Sequence, residues 1–415
     1  MSACLFTVVC GELAAAPPPF LNFRGLLTHR DQTVKVVCFG DSVTGVYYHT
    51  GGRRAYTDLV KIALEKTKPR ATIEAVNAGT SGNTTRDALA RIETDVLAHQ
   101  PALVTVMFGL NDMTRVPLEE FRENLTKIIH LCRDAGAEVL LCTPNSVYDT
   151  KGRPQVVLEK YVEAVHQVGR AEQVEVADCY AAFQSLRSRD EFAWALLMSD
   201  EIHPNLDGHK LIAEEIVQAV IGRRVLLKDL PVSTPPMPWT KGKLQQRQPI
   251  HVLAMPPYDG QIKVAIRRRY PNADIKVTPW ETAGKTLGDI EAQAKSIREL
   301  APDLVIVAVP IEKTASSREQ FVRTYSWILN YSLSFGQRTW DVVVVDPALE
   351  GELRDAQQRA QARLVRDLVR AQDLPLIPRS DESKARAAGS ITEWVGTQFE
   401  DTTPGAPTKP PAPRE

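Results

Sequence analysis

The feature that most constrains the fold is a buried-strand pattern that recurs along the chain. Its clearest instance is Val34–Gly40, where β-branched and apolar residues run up to a glycine. Short apolar runs cut by a turn residue are typical of the buried strands of an α/β sheet. Four further runs of this kind are predicted at 71–76, 102–108, 138–142 and 174–177. Segments with helical apolar spacing lie between or after them, at 54–65, 84–98, 118–135, 154–170 and 206–221. Strands that alternate with helices predict a parallel, doubly wound sheet with right-handed crossovers.

The chain divides into two units in this interpretation. Its 415 residues exceed one ordinary core, which favours two domains over 25–224 and 250–400. The proline-rich stretch between them, 225–249, is predicted to be an extended linker. Beyond it the order of strands and helices repeats, and 100–112 aligns locally with 301–313. An internal duplication is predicted, with coincidence between two similar α/β folds as the alternative.

The two ends of the chain differ from its middle. Residues 1–24 contain an apolar stretch and three alanines before Pro17, as at a signal-peptidase site, but no Lys or Arg precedes the stretch. They are predicted to be either a clipped export signal or an N-terminal arm. The first favours a periplasmic or secreted protein and the second a cytoplasmic one. The proline-rich segment 401–415 is predicted to be disordered.

Composition excludes several function classes. The formal net charge of −1 gives no reason to expect a nucleic-acid or membrane-surface partner. No apolar run reaches the roughly 20 residues that span a bilayer. The six cysteines show no C-x-x-C spacing, so we predict no metal site and no disulfide framework.

Four polar blocks carry the candidate chemistry. They are Gly40-Asp41-Ser42, the glycine-containing loop 77–84, Gly109-Leu110-Asn111-Asp112, and the segment 200–205. The first three each follow a predicted strand. Because the carboxyl ends of parallel strands meet at one edge of a sheet, these loops are expected to converge there.

The residue types in these blocks fit acyl transfer. Ser42 is the candidate nucleophile, His203 the base that takes its proton, and Asp200 the group that orients the imidazole. The candidate oxyanion donors are the N–H groups of Ser42 and Gly82 and the side-chain amide of Asn111. Each residue alone is explained equally well as a helix cap or a turn. Their joint occurrence at strand ends favours a catalytic site.

These blocks resemble those of the SGNH hydrolases, also called the GDSL esterase/lipase family. Gly40-Asp41-Ser42, Gly82, Asn111 and Asp200-x-x-His203 match its motifs, and the resemblance covers about 34–221. It implies a three-layer α/β/α flavodoxin-like fold and ester hydrolysis by a Ser-His-Asp triad without metal or organic cofactor. The segment Val46-Tyr47-Tyr48-His49 departs from the short glycine-rich turn of many relatives.

The second unit keeps the strand pattern but loses the motifs. Alignment places Pro257 at the nucleophile position, Pro310 at that of Gly109 and Glu312 at that of Asn111. Lys384 falls where His203 stands. The second unit is therefore predicted to be a catalytically silent, degenerate SGNH-like domain, or a docking and substrate-positioning module.

The function predicted from these observations is a serine esterase acting on short acyl esters, such as O-acetyl groups of carbohydrate. A lysophospholipase or thioesterase remains an alternative within the same class. A protein whose two halves only bind a ligand is the alternative from a different class.

Overall fold

A computed structural model of the chain describes residues 19–29, 32–335, 339–349, 353–378 and 387–399. The candidate signal residues 1–18, the position of Lys384 and the predicted disordered tail lie outside them. The chain forms two units, each built on its own five-stranded parallel sheet. The strands are β1 Thr33–Gly40, β2 Thr72–Gly79, β3 Leu103–Met107, β4 Glu138–Cys142, β5 Val176–Ala177, β6 Ile250–Ala254, β7 Ile275–Pro279, β8 Leu304–Val307, β9 Asp341–Val345 and β10 Leu376–Ile377.

Helices follow almost every strand in both units. They are α1 Leu21–Leu26, α2 Ser42–Gly45, α3 Tyr56–Thr67, α4 Thr85–Asp95, α5 Asp112–Arg115, α6 Leu118–Asp134, α7 Gln155–Glu172, α8 Cys179–Arg189, α9 Glu191–Ala195, α10 Leu206–Ile221, α11 Pro238–Gln245, α12 Tyr258–Arg269, α13 Leu287–Ala294, α14 Ile297–Leu300, α15 Arg318–Ser332, α16 Ala356–Ala371 and α17 Ala387–Gln398. None of the helices in the described part of the chain is both long and apolar enough to cross a bilayer.

The first sheet has the strand order β2-β1-β3-β4-β5, with every neighbouring pair parallel. All five residues of β3 are buried, as expected for a central strand covered on both faces. The flanking helices form two packed groups, α3 with α10 and α8, and α4 with α6 and α7. The predicted parallel α/β fold is confirmed.

The second sheet repeats this arrangement. Read from β7, its order is β7-β6-β8-β9-β10, again parallel throughout. Its interior is a separate hydrophobic core that runs from Met237 to Phe399, whereas the first core runs from Phe20 to Leu227. The shared strand order is consistent with a second similar domain. Its origin as a degenerate SGNH-like copy stays a prediction.

The boundary predicted after residue 24 is wrong, because the first unit begins earlier. Phe20 and Phe23 belong to its core, and Phe23 is fully buried. The N–H of Phe23 donates to Glu138 Oε2 at 2.6 Å, and Arg24 Nε donates to the carbonyl of Val220 at 2.5 Å. The short α1 therefore covers the first unit, and residues 19–24 are not a free arm.

The segment 225–249 is not extended throughout, because it contains α11. Pro238 stands at the first position of this helix, where a missing N–H costs nothing. The Asp341 carboxylate accepts from Trp239 N–H at 3.4 Å and from Thr240 N–H at 2.7 Å. The acceptor comes from β9, more than 100 residues away, so sequence near the prolines does not announce this helix.

Two helix predictions in the second unit also need correction. The apolar spacing of 287–300 predicts one helix, but this segment divides into α13 and α14. Helix α12 was not predicted, because its core contacts come from a few apolar residues in an otherwise polar, arginine-rich segment, namely Tyr258, Ile262, Ala265 and Ile266.

Candidate active site

The nucleophile candidate lies at the carboxyl end of β1. The strand ends at Gly40, Asp41 caps the short α2, and Ser42 is the first residue of that helix. The Asp41 carboxylate accepts from Val43 N–H at 2.9 Å, which holds the turn in place. Ser42 is 8% exposed, so its hydroxyl remains within reach of a substrate.

Ser42, His203 and Asp200 form a continuous hydrogen-bonded chain. Ser42 Oγ lies 2.9 Å from His203 Nε2. On the other side of the ring, His203 Nδ1 lies 2.9 Å from Asp200 Oδ2 and 3.1 Å from Oδ1. The structure thus brings together three residues that span 161 positions of sequence. This is the geometry of an activated serine nucleophile, whose base is oriented by a carboxylate.

Asp200 is held as a carboxylate although it is largely buried. Burial alone raises its pKa, but hydrogen bonding from His203 and the electrostatic interaction with that ring outweigh this effect and lower the pKa well below the usual value. The N–H groups of Ile202 and His203 each donate to Oδ1 at 2.7 Å. Asp200 is therefore ionised across the working range of an esterase.

The loops that carry Gly82 and Asn111, the other two oxyanion candidates, contact the turn before Ser42, since Thr80 N–H donates to the carbonyl of Gly40 and the Asn111 amide to Asp41. Gly82 adopts φ of +75°, a left-handed conformation that disfavours side chains, although nothing lies within 4 Å of where a Cβ would stand. In the described part of the chain, neither Ser42 N–H nor Gly82 N–H donates to a protein acceptor. The Asn111 amide donates from Nδ2 to the carbonyl of Asn83 at 3.0 Å and to Asp41 Oδ2 at 3.4 Å.

Sequence reasoning missed the two buried carboxylates under this loop cluster. Burial raises the pKa of Asp41 to about 6, and the nearby Asp112 adds to the rise. Asp112 accepts from Thr85 N–H at 2.8 Å, Thr85 Oγ1 at 2.6 Å and Gly109 N–H at 3.2 Å, so it ties two of the loops together. Both residues lie in the quoted motifs, Asp41 directly before Ser42 and Asp112 directly after Asn111, and this adjacency was the only signal available.

Two arginines near Asn111 were also missed. Arg153 donates from Nη2 to Asn111 Oδ1 and from Nε to the carbonyl of Leu110, both at 3.2 Å. Arg115 donates to the carbonyl of Gly82. Arg153 thereby fixes which end of the Asn111 amide is the donor. Its position 42 residues along the chain gave no local signal.

His49 is the fifth residue missed, and it packs directly on the triad. Its ring stacks on that of His203, with centroids 4.1 Å apart and an angle of 13°. Ligand atoms of His49, Asp200 and His203 lie within 4.8 Å of one another, close enough to consider a metal ion. Nearly parallel stacked rings direct their nitrogen lone pairs side by side, however, and both His203 nitrogens are already engaged. The arrangement fits a triad better than a metal centre.

The strand register corrects the assignment of Pro257 to the nucleophile position. Val36 pairs with Leu103 in the first sheet, and Val252 pairs with Leu304 in the second. Six residues beyond Val36 is Ser42, whereas six beyond Val252 is Tyr258, the first residue of α12. Pro257 instead takes the capping position that Asp41 holds. The structural equivalent of Ser42 therefore lies one residue later than the sequence alignment places it.

The other aligned positions of the second unit also lack the chemistry. The local alignment of 100–112 with 301–313, which matches Leu103 with Leu304 and on which the register comparison depends, places Pro310 at the position of Gly109 and Glu312 at that of Asn111. Glu312 is exposed, whereas Asn111 is buried. Tyr258 is itself completely buried.

Comparison with known proteins identifies the family of the domain that contains these residues. Residues 38–211 match the GDSL-like lipase/acylhydrolase family. An acetylxylan esterase of Geobacillus stearothermophilus is 27% identical over 208 residues, which are 45% of this chain and 93% of that protein. An arylesterase of Vibrio mimicus is 24% identical over 45% of this chain and 88% of its own length.

A solved structure is similar over the same half. The lipase/acylhydrolase of Enterococcus faecalis is 30% identical and aligns with 47% of this chain and 99% of its own, with a TM-score of 0.39. Residues 38–211 are thus a GDSL-like lipase/acylhydrolase domain, which places this protein in that family as a carboxylic ester hydrolase.

Proposed function

We propose that the first unit hydrolyses short acyl esters, such as O-acetyl groups of carbohydrate, with Ser42, His203 and Asp200 as its catalytic triad. The observation that carries the proposal is the hydrogen-bonded chain from Ser42 Oγ through the His203 ring to Asp200, with 2.9 Å at each step. The name of the Geobacillus relative, an acetylxylan esterase, supports the choice of acyl group and sugar.

The chemistry begins with attack by the Ser42 hydroxyl. Ser42 Oγ adds to the ester carbonyl while His203 Nε2 takes its proton, and Asp200 stabilises the imidazolium that forms. The N–H groups of Ser42 and Gly82 and the Asn111 amide donate to the oxyanion. His203 then protonates the departing alcohol, leaving an acyl group on Ser42. A water molecule, deprotonated by His203, releases the acid and restores the free hydroxyl.

The second unit is, in this proposal, a degenerate SGNH-like domain without its own ester hydrolysis. Two exchanges support this part of the proposal: Tyr258 stands where the first unit has its serine, and Glu312 where it has its amide donor. The shared strand order of the two sheets supports the likeness of the folds. We also propose that the protein is exported. The apolar N-terminal pattern supports this. So does the similarity to an uncharacterised lipoprotein of Bacillus subtilis, which is 36% identical over 129 residues that make up 51% of its length.

Labelling with a fluorophosphonate probe tests the nucleophile. The full-length protein should gain one probe adduct, at Ser42, and Ser42→Ala should gain none. The matched control is Tyr258→Phe, at the equivalent position of the second unit, which should be labelled at the wild-type rate. An adduct that persists in Ser42→Ala would contradict the assignment.

A substrate panel tests the acyl and alcohol groups. Acetylated xylooligosaccharides and aryl acetates should give higher kcat/KM than aryl octanoates, lysophospholipids or acyl thioesters. A preference for the long acyl chains would support a lipid esterase and overturn the short-acyl proposal.

A further inference from the structure

Side chains of the second unit reach the loop that carries the catalytic acid. Ser199 directly precedes Asp200, and its Oγ donates to Asn330 Oδ1 at 3.0 Å. Gln372 Nε2 donates to the same Ser199 Oγ at 3.1 Å and to Asn330 Oδ1 at 3.0 Å. Asn330 Nδ2 also donates to the Ser199 carbonyl at 3.2 Å. All three residues are at most 2% exposed, so water does not substitute for these bonds.

The same hydroxyl contacts His49, and counting its protons determines the histidine tautomer. His49 Nδ1 lies 3.0 Å from Ser199 Oγ. A serine hydroxyl has one hydrogen, and the Asn330 oxygen, which can only accept, takes it. Ser199 Oγ must therefore accept from His49, which places the His49 proton on Nδ1 and leaves Nε2 without one. Burial lowers the pKa of His49 well below its usual value, so the ring stays neutral.

The bare nitrogen of His49 faces the catalytic carboxylate. His49 Nε2 lies 3.6 Å from Asp200 Oδ2, the oxygen that is 2.9 Å from His203 Nδ1. It is one of the buried polar atoms without a hydrogen-bond partner. With a proton on Nε2, His49 would compete with His203 for this oxygen. Without one, the oxygen is left to His203.

We propose that Asn330 and Gln372 are positioning residues for the esterase reaction, acting through Ser199 to keep the His49 proton on Nδ1 and to hold Asp200 against His203. The inference rests on the proposed triad and gives the second unit a role in it. In this inference the second unit supports the loop that carries Asp200 through the hydrogen bonds of Asn330 and Gln372 to Ser199.

Two further contacts fix the same loop and its neighbour. Arg323, on the same helix as Asn330, pairs with Glu201, the residue after Asp200. Near His49, a Cβ at Gly51 would lie 2.0 Å from the carbonyl of Gln372, and Gly51 has φ of +80°. The chain just after Val46-Tyr47-Tyr48-His49, the segment that departs from the family's short turn, is thus fitted closely against the second unit.

The test uses full-length protein with Asn330→Ala, followed by imidazole ¹⁵N NMR and steady-state kinetics. With the Asn330 oxygen removed, the Ser199 hydroxyl is free to donate to His49 Nδ1. The His49 proton should then move to Nε2, so that the unprotonated ¹⁵N signal passes from Nε2 to Nδ1. Small misplacements of catalytic groups cost up to about 100-fold. We expect kcat to fall roughly 10- to 100-fold while KM changes little, because the change acts on the positioning of Asp200 and His203.

Three further variants test the interpretation of the Asn330→Ala result. Ser199→Ala removes the same bonds from the first unit's side and should give the same tautomer and the same loss, which also covers an Asn330→Ala protein that does not fold. The double variant should be no slower than the slower single one, since both break one network. The matched control is Ser332→Ala on the same helix, whose hydroxyl, among the described residues, donates to the carbonyl of Ile328 within α15. It should keep wild-type kcat and the wild-type His49 tautomer.

The outcomes separate this inference from the proposed function. If the wild-type protein is not labelled at Ser42, the triad and this inference both fail. If Ser42 is labelled and Asn330→Ala keeps the wild-type His49 tautomer and kcat, this inference alone is overturned. Additive losses in the double variant would also overturn it, because two independent effects would then be at work.

Discussion

The two units share a strand order and differ in what stands at the carboxyl ends of their strands. In the first, β1 leads through a capping Asp41 into Ser42, and the loop after β3 offers Asn111. In the second, the equivalent turns carry Pro257 with Tyr258, and Glu312. The sheet needs only apolar strands and helices that cover them, so it tolerates these exchanges. Catalysis, in contrast, depends on a few polar atoms at defined distances, which the exchanged residues do not supply.

The second unit also makes buried contacts with the first. Its Asp373 lies fully buried against Arg54 of the first unit, with Nε–Oδ2 at 2.9 Å and Nη2–Oδ1 at 2.6 Å. The same carboxylate accepts from Ser233 N–H and Oγ, in the segment that connects the units. The second unit thus contributes a buried carboxylate to a charged contact with the first unit.

The largest expected effect is on the joint stability of the two units. Arg54→Met leaves the Asp373 carboxylate buried without its cation, a change that costs about 3–5 kcal/mol. We expect the free energy of unfolding to fall by this order and the two cores to unfold in separate steps. Denaturant titration followed by tryptophan fluorescence measures both.

Arg366→Met is the matched control for that experiment. Its pair with Asp346 lies wholly within the second unit, and the arginine is 38% exposed. The loss should be smaller, with the coupling between units kept. Equal losses in the two variants would mean that the Arg54 pair does not join the units.

The next effect contrasts the two loops that follow the third strand of each sheet. Asn111→Ala removes an oxyanion donor and should lower kcat by roughly 10²–10³ with little change in KM. Glu312→Ala, at the equivalent place, should leave both constants unchanged. Steady-state kinetics on an aryl acetate measures them. A rise in KM alone for Asn111→Ala would make Asn111 a binding residue and not an oxyanion donor.

The smallest effect concerns pH and separates a carboxylate of the site from one of the scaffold. Burial raises the pKa of both Asp41 and Asp341 from the usual 3.8 to about 6. Between about pH 4 and 6 the folded protein therefore holds protons that the unfolded chain has released. Each group makes the free energy of unfolding fall as pH rises through this window, by on the order of 3 kcal/mol.

Asp41→Asn and Asp341→Asn should each flatten that part of the pH profile of the free energy of unfolding. Only Asp41→Asn should also lower kcat, because Asp41 caps the Ser42 turn and accepts from Asn111. Denaturant titrations at pH 4, 5, 6 and 7, with kinetics at pH 7, measure the difference. An equal kcat loss in Asp341→Asn would show that the scaffold carboxylate also reaches the site.

Local sequence patterns were enough to predict most of the first unit's fold and its candidate triad. Gly40-Asp41-Ser42 can be identified from the sequence because a buried strand, a capping residue and a nucleophile follow one another within a few positions. Asp200 and His203 lie three residues apart, so the orienting bond is local as well. The parallel sheet followed from the alternation of strands and helices. These features depend on short-range periodicity and turn chemistry, which a single sequence displays.

What the tertiary structure decided depends on pairing between distant segments. The one-residue correction from Pro257 to Tyr258 needed the register of β6 against β8, which neither strand contains by itself. The contacts of Ser199 with Asn330 and Gln372 cross 131 and 173 residues, and nothing near any of them announces a partner. Buried polar side chains acquire their hydrogen bonds only when the two units pack together. The sequence by itself therefore determined the first unit's fold and its candidate triad, and packing decided how that triad is held.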